Sequence, residues 1–132
     1  MSSRPIPTGS PDVLAALLPI VNAAMPSGVN ARRTRTEDSR GVQVRADLQG
    51  HATPISRYCR VGITAWHMDT AGNSRIDLAL ALANTAAKAL IDSRAQAIIS
   101  AEWQSGPIDT LDPVSQKDIA YATLLLEVPS TL

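Results

Sequence analysis

Apolar positions recur at helical spacing in two stretches of this chain and alternate with polar positions in several others. In the first stretch, Val13, Leu14, Leu17, Leu18 and Val21 form one stripe. Ser10, Pro11 and Asp12 precede it as a helix start: a capping hydroxyl, a proline suited to the first helical position and an acid at the positive helix end. Pro19 falls inside the pattern and predicts a kink or a shortened helix, which 26–28, Pro-Ser-Gly, then ends. Val42, Val44, Ala46 and Leu48 share one face of a strand, with Gln43, Arg45, Asp47 and Gln49 on the other. A polar segment at about 29–36 reads as a preceding strand, with 37–41 as the hairpin turn between them. After a loop at 50–56, Cys59, Val61, Ile63, Ala65 and His67 alternate with Tyr58, Arg60, Gly62, Thr64, Trp66 and Met68. Both faces are largely apolar, so this strand is predicted to be central.

Ser74 is the predicted cap of a second helix, with Asp77 three residues on as a weaker capping box. Leu78, Ala79, Leu82, Ala83, Ala86, Ala89 and Leu90 line one broad face, and the many alanines let the helix lie close on a sheet. Asp92 and Ser93 end it. Ile99, Ala101 and Trp103 mark a fourth strand. Asp109 and Asp112, beside Pro107 and Pro113, read as turn residues. Ala120, Ala122, Leu124, Leu126 and Val128 mark the last strand, stopped by Pro129. The predicted order is α-β-β-β-α-β-β. It describes an α+β fold, with an antiparallel or mixed sheet of four to five strands and two helices packed on one face. Residues 1–10 read as a flexible N-terminal arm and 11–132 as a single domain.

Composition narrows this reading. The 132 residues are 45% hydrophobic but only 3% aromatic, with no Phe, so Leu, Ile, Val and Ala must fill the core. Lys plus Arg and Asp plus Glu both number 12, so no net charge draws the chain to nucleic acid or membrane. The lone Cys59 excludes an internal disulfide and a four-cysteine zinc site. The opening residues lack the apolar core of a signal peptide, and no apolar run nears the about 18 residues of a membrane span. A protein made and used in a reducing cytoplasm is expected.

Candidate chemistry is sparse. His51 and His67 lie sixteen residues apart, outside any metal or catalytic spacing. Cys59 alternates with Val61 and Ile63 as a core residue, without a visible activating neighbour. Asp69 and Asp77 flank the second helix start as caps rather than as a catalytic pair. No phosphate-cradling glycine loop occurs. No catalytic, cofactor or metal residue is assigned. One polar feature stands out: Arg32, Arg33, Arg35, Arg40 and Arg45 fall within fourteen residues, near Glu37, Asp38 and Asp47. The bland reading is a solvated hairpin. The functional reading is a patch facing an assembly surface or a bore. Interleaved aromatics and a recognition helix are both missing, which argues against single-strand binding and sequence-specific reading.

The Pro11-Asp12-Val13 helix start, the strand–turn–helix of 57–90 with Trp66 near the strand end, Gly106-Pro107, Asp112-Pro113 and the terminal strand at 121–128 together resemble the tail terminator (tail-completion, minor tail) proteins of long-tailed, non-contractile bacteriophages. The resemblance covers most of the chain but not 33–56. It implies a virion protein without enzymatic activity or cofactor, assembled in the host cytoplasm into a ring, usually of six copies. Such a ring caps the tail tube, ends its polymerisation and forms the joining surface to the head–tail connector, with genomic DNA passing through the bore without sequence-specific binding. Its partners are then further copies of itself, the tail tube protein and the connector protein, and no membrane. The alternatives are a head–tail connector or neck protein of the same virion, a small enzyme on a helix-and-sheet scaffold, or a small nucleic-acid-binding module using the arginines.

Overall fold

The computed structural model describes residues 12–130. The elements run α1 (Val13–Ala24), β1 (Ala31–Arg32), β2 (Arg40–Thr53), β3 (Ser56–His67), α2 (Ile76–Ile91), β4 (Ser100–Leu111) and β5 (Asp118–Pro129). This is an α+β fold in which one mixed, five-stranded sheet has the order β1-β2-β3-β5-β4. β1 pairs with β2 in parallel, and every other neighbouring pair is antiparallel.

The core lies between one face of the sheet and both helices. Alternation places Val42, Val44, Val61, Ile63, Leu124 and Leu126 on that face, all fully buried. α1 adds Val13, Leu17 and Val21, and α2 adds Ala79, Leu82, Ala83, Ala86, Ala87 and Leu90. The alanines keep α2 close to β3, β5 and β4, as the alanine-rich stripe predicts. Ala87 is buried in place of Ala89, a displacement of half a turn. β3 is the middle strand of the five, as expected, but only its helix-facing side is buried continuously, from Cys59 to Ala65. On the other side Ser56 and Trp66, toward its ends, are enclosed, and Tyr58 and Arg60 are exposed.

Several expectations are corrected. The predicted arm at 1–10 and the Ser10 and Pro11 cap lie outside the described residues. Within them, Asp12 is itself the cap of α1, its carboxylate accepting from the Ala15 amide at 3.2 Å. Pro19 does not shorten α1, which runs on to Ala24. Pro19 and Ala15, whose carbonyl the ring deprives of its helical partner, are both exposed, so that carbonyl is open to solvent.

The segment 29–41 is not a hairpin. β1 is two residues long and parallel to β2, tied to α1 by Asn22. That side chain donates to the Ala31 carbonyl at 3.0 Å and accepts from the Ala31 amide at 2.8 Å. The predicted loop at 50–56 is mostly strand. β2 continues to Thr53 and a two-residue turn, Pro54-Ile55, leads into β3. Ser56, buried there, donates to Glu127 at 2.7 Å and therefore accepts from Thr53 at 2.6 Å.

Ser74 does not cap α2. Its hydroxyl donates to the Asp118 carbonyl at 2.7 Å, so it is already committed across the sheet, and Arg75 holds the cap position without a side-chain bond. Asp69 is a turn residue, accepting from the Ala71 and Asn73 amides at 2.9 Å each. Pro107 and Asp109 belong to β4 and not to a turn. The strand passes through them with a cis Gly106-Pro107 bond and register shifts on either side of Ser105. β4 is an edge strand, where a residue without an N–H costs no ladder bond.

Candidate functional site: the arginine segment and the open sheet face

The face of the sheet opposite the helices is uncovered by any element among the described residues. Its cross-strand rows run Gln43–Thr64–Tyr121–Ile108, Arg45–Gly62–Thr123–Ser105 and Asp47–Arg60–Leu125–Glu102. Ser105 and Thr123 share a hydroxyl hydrogen bond of 2.6 Å along the second row. The face is therefore polar and half-apolar by turns, with Tyr58 and Tyr121 lying exposed on it.

One corner of this face is roofed. Trp66 points away from the helices, yet is only 2% exposed. The segment between β1 and β2 folds over it: the indole N–H donates to the Asp38 carbonyl at 2.8 Å, and the Arg35 guanidinium lies 4.4 Å from the ring centroid. Gly41 is the residue opposite Trp66, and a Cβ there would come within 2.6 Å of the ring. The same Arg35 pairs with Asp112 at 2.9 Å. Asp112 opens the turn between β4 and β5, accepting also from the Ser115 hydroxyl at 2.7 Å and the Val114 amide at 3.3 Å. The Ser115 bond and then these neighbours, the Arg35 charge included, hold the Asp112 carboxyl below the usual carboxylate range. Beside this corner the surface hollows into a concavity of about 860 Å³, with Arg45, Gln43 and Thr64 on one side and Val114 on the other.

The structure disperses the five arginines. Arg32 is exposed on β1. Arg33 turns toward α1 and pairs with Asp12 at 2.8 Å, with both side chains about half exposed. Arg35 is committed to Trp66 and Asp112. Arg40 opens β2 opposite His67, its guanidinium lying over Gly28. Arg45 stands exposed on the open face. They form no single patch: Arg33 and Arg35 serve as ties within the domain, and Arg45 and Arg32 remain as outward cations. The sequence gives no signal for the Arg35–Trp66–Asp112 clasp, whose outer members lie 77 residues apart.

The other residues singled out by chemistry stay apart. Cys59 is fully buried on the helix side, and burial first of all pushes its thiol up to about 11, which makes it unreactive near neutral pH. His51 is exposed near the end of β2, and His67 closes β3. Asp109 lies on β4 and does not join Asp112. Among the described residues no group of three or more His, Cys, Asp or Glu could hold a metal ion. No described helix is long and apolar enough to cross a membrane. Comparison with known proteins finds no matching family and no matching curated relative.

Proposed function

We propose that this protein is a structural component of a phage tail, a ring-forming terminator that caps the tail tube and presents the joining surface to the head connector. The supporting observation is the edge of the sheet. β4 is a twelve-residue edge strand, and Trp103, Ile108 and Leu111 on it are 40%, 55% and 54% exposed. A long edge rich in large apolar side chains is a liability for a lone molecule and an asset for one that assembles. The sequence resemblance supports reading that assembly as a tail terminator. The reading has no enzymatic step: of the groups lining the concavity, Arg35 and Asp112 are committed to each other and to Trp66 and Ser115.

The dispersal of the arginines weighs against the nucleic-acid-binding alternative, because a phosphate-tracking groove needs its cations along one path. Arg32 and Arg45 are the two suited to acidic residues of a neighbouring subunit or ring, where the planar guanidinium donates two parallel bonds. Electron microscopy of a lysate lacking this protein tests the function. The expected result is headless tails of irregular, excessive length. Tails of normal length joined to heads reject the reading, and normal tails that merely fail to join heads favour a neck protein instead.

A further inference from the structure

The sheet has two open edges of unequal kind, and we infer that they fit one another: the Ser100–Ser105 half of β4 in one copy seats against the outer edge of β2 beyond Gln43 in the next. Ile108 and Asp109, level with the stretch that β1 covers, lie outside the joint. This inference rests on the proposal that the chain self-assembles, and it names the joint. On the β2 side, β1 covers only Val42 and Gln43. From Val44 to Thr53 no strand pairs with the outer edge of β2 among the described residues.

Three features match across the joint. The first is direction. β4 runs opposite to β2, since β3, β5 and β4 each reverse in turn. A copy rotated about an axis along the strands keeps strand direction. Its β2 therefore meets β4 antiparallel, and the repetition is head-to-tail, as a closed ring requires. The second is shape. Ala46, Val61, Leu124 and Trp103 occupy one cross-strand row, and Val61 and Leu124 place that row on the helix-bearing face. A pure rotation keeps rows level. Trp103 of one copy thus arrives beside Ala46 of the next, where Val13, Leu14, Ala46 and Leu48 line a groove of about 290 Å³. An exposed indole meets a cleft lined by these apolar side chains together with the Arg33–Asp12 ion pair and Asp47. The third is charge. The joining half of β4 carries exposed Glu102 and no Lys or Arg, whereas exposed Arg32 and Arg45 lie on the opposite side of the sheet. Glu102 arrives directly opposite Asp47, a like-charge contact that opposes the joint, and diagonal to Arg45, whose long side chain is within reach and offsets that repulsion.

Two variants of the full chain test the joint, each measured by sedimentation alone and on purified tail tubes. Trp103→Lys is expected to melt like the wild type, because Trp103 is 40% exposed in the single chain, and to weaken self-association on the order of 30-fold or more, as loss of a central aromatic anchor does. Asp47→Cys with Glu102→Cys places two thiols in one row with β3 and β5 between them, roughly 14 Å apart within a copy and too far to bond there. Mild oxidation is expected to yield a ladder of covalently linked multimers. If Trp103→Lys assembles like the wild type, or the cysteine pair gives no ladder while the wild type forms rings, the joint is overturned and the ring reading stands. If the wild type never self-associates, free or on tubes, both are overturned.

Discussion

Leu124 and Leu125 are adjacent on β5 and meet opposite surroundings. Leu124 is fully enclosed between the sheet and the helices, while Leu125 lies partly exposed on the open face between Arg60 and Glu102. The covered face consists of aliphatic side chains and alanines, sealed over β3 and β5 and opening toward β4, where Trp103 is 40% exposed. The open face is mixed, and its one enclosed aromatic, Trp66, is covered by a loop and two polar ties rather than by a helix. The contrast divides the work of the molecule. Burial on one face holds the fold together, which leaves the other face and the β4 edge available to partners. Leu124→Ala should therefore be the most damaging change, destabilising by about 2–5 kcal/mol through lost transfer energy and a cavity. Leu125→Ala should remove less than about 1 kcal/mol. Urea denaturation of the pair measures the difference, and equal losses would mean that the open face is covered too.

The glycines sharpen the same contrast at smaller scale. A Cβ on Gly41 would strike the ring of Trp66, which is pinned by Asp38 and Arg35 and has nowhere to move. A Cβ on Gly62 would meet the Tyr121 hydroxyl at 2.9 Å, the tip of an exposed side chain that can swing aside. Gly41→Ala should lose about 1–3 kcal/mol as overpacking does. Gly62→Ala should be nearly neutral, within about 0.5 kcal/mol. Thermal melts of both report it, with the near-ultraviolet signal of Trp66 altered only in the first.

What the sequence discloses follows the same division. The covered face could be read residue by residue, because alternation and helical spacing are imposed by a single continuous core; Val42 to Leu48, Val61 to Ala65 and Ala120 to Val128 fall where their pattern puts them. Elements whose partners are remote could not. Ser74 has every local mark of a cap, yet its hydroxyl is taken by Asp118 across the sheet. β1 has no apolar alternation because two residues and the Asn22 side chain suffice to define it. β4 continues through Pro107 because its free edge needs no donor there. The arginines of 32–45 look like one patch along the chain, but ties to Asp12 and Asp112, distant in sequence, send them different ways.

The clasp over Trp66 predicts a response to acid. Asp112 titrates below its ordinary value of 3.8 in the folded chain. A group with a depressed folded pKa contributes stability above its unfolded value, and that contribution is lost as pH falls through the folded one. The Asp112 contribution is therefore whole at neutral pH and disappears below 3.8. Asp112→Asn should lower the urea midpoint near pH 7 and should flatten the fall on acidification relative to the wild type. Asp12, Asp69 and Asp77 are depressed as well, so some acid sensitivity must persist in the variant. An acid limb unchanged by Asp112→Asn would place the sensitivity in those exposed turns instead of the clasp.

The smallest expected effects separate two arginines that the sequence presents as equals. Arg33 pairs with Asp12 where both side chains are about half exposed, 48% and 57%. Solvent screens such a pair, and fixing two long side chains offsets most of the attraction, so Arg33→Ala should remove less than about 0.5 kcal/mol. Arg35 pairs with an Asp112 side chain that is 9% exposed and also covers the ring of Trp66. Its removal leaves a buried carboxylate with fewer partners and uncovers an indole, so Arg35→Ala should cost about 1–2 kcal/mol. Arg35→Lys should recover only part, because an ammonium cannot lie flat on the ring while reaching the carboxylate with a planar fork. Added salt distinguishes the two further. At about 0.5 M NaCl the small Arg33 effect should vanish, since exposed charges are screened within a few ångströms, whereas most of the Arg35 effect should remain. Chemical denaturation of the three variants at low and high salt measures both differences. If Arg33→Ala and Arg35→Ala lose the same small amount and respond to salt alike, Arg35 is a solvated surface cation, and Trp66 is held down by its bond to Asp38 alone.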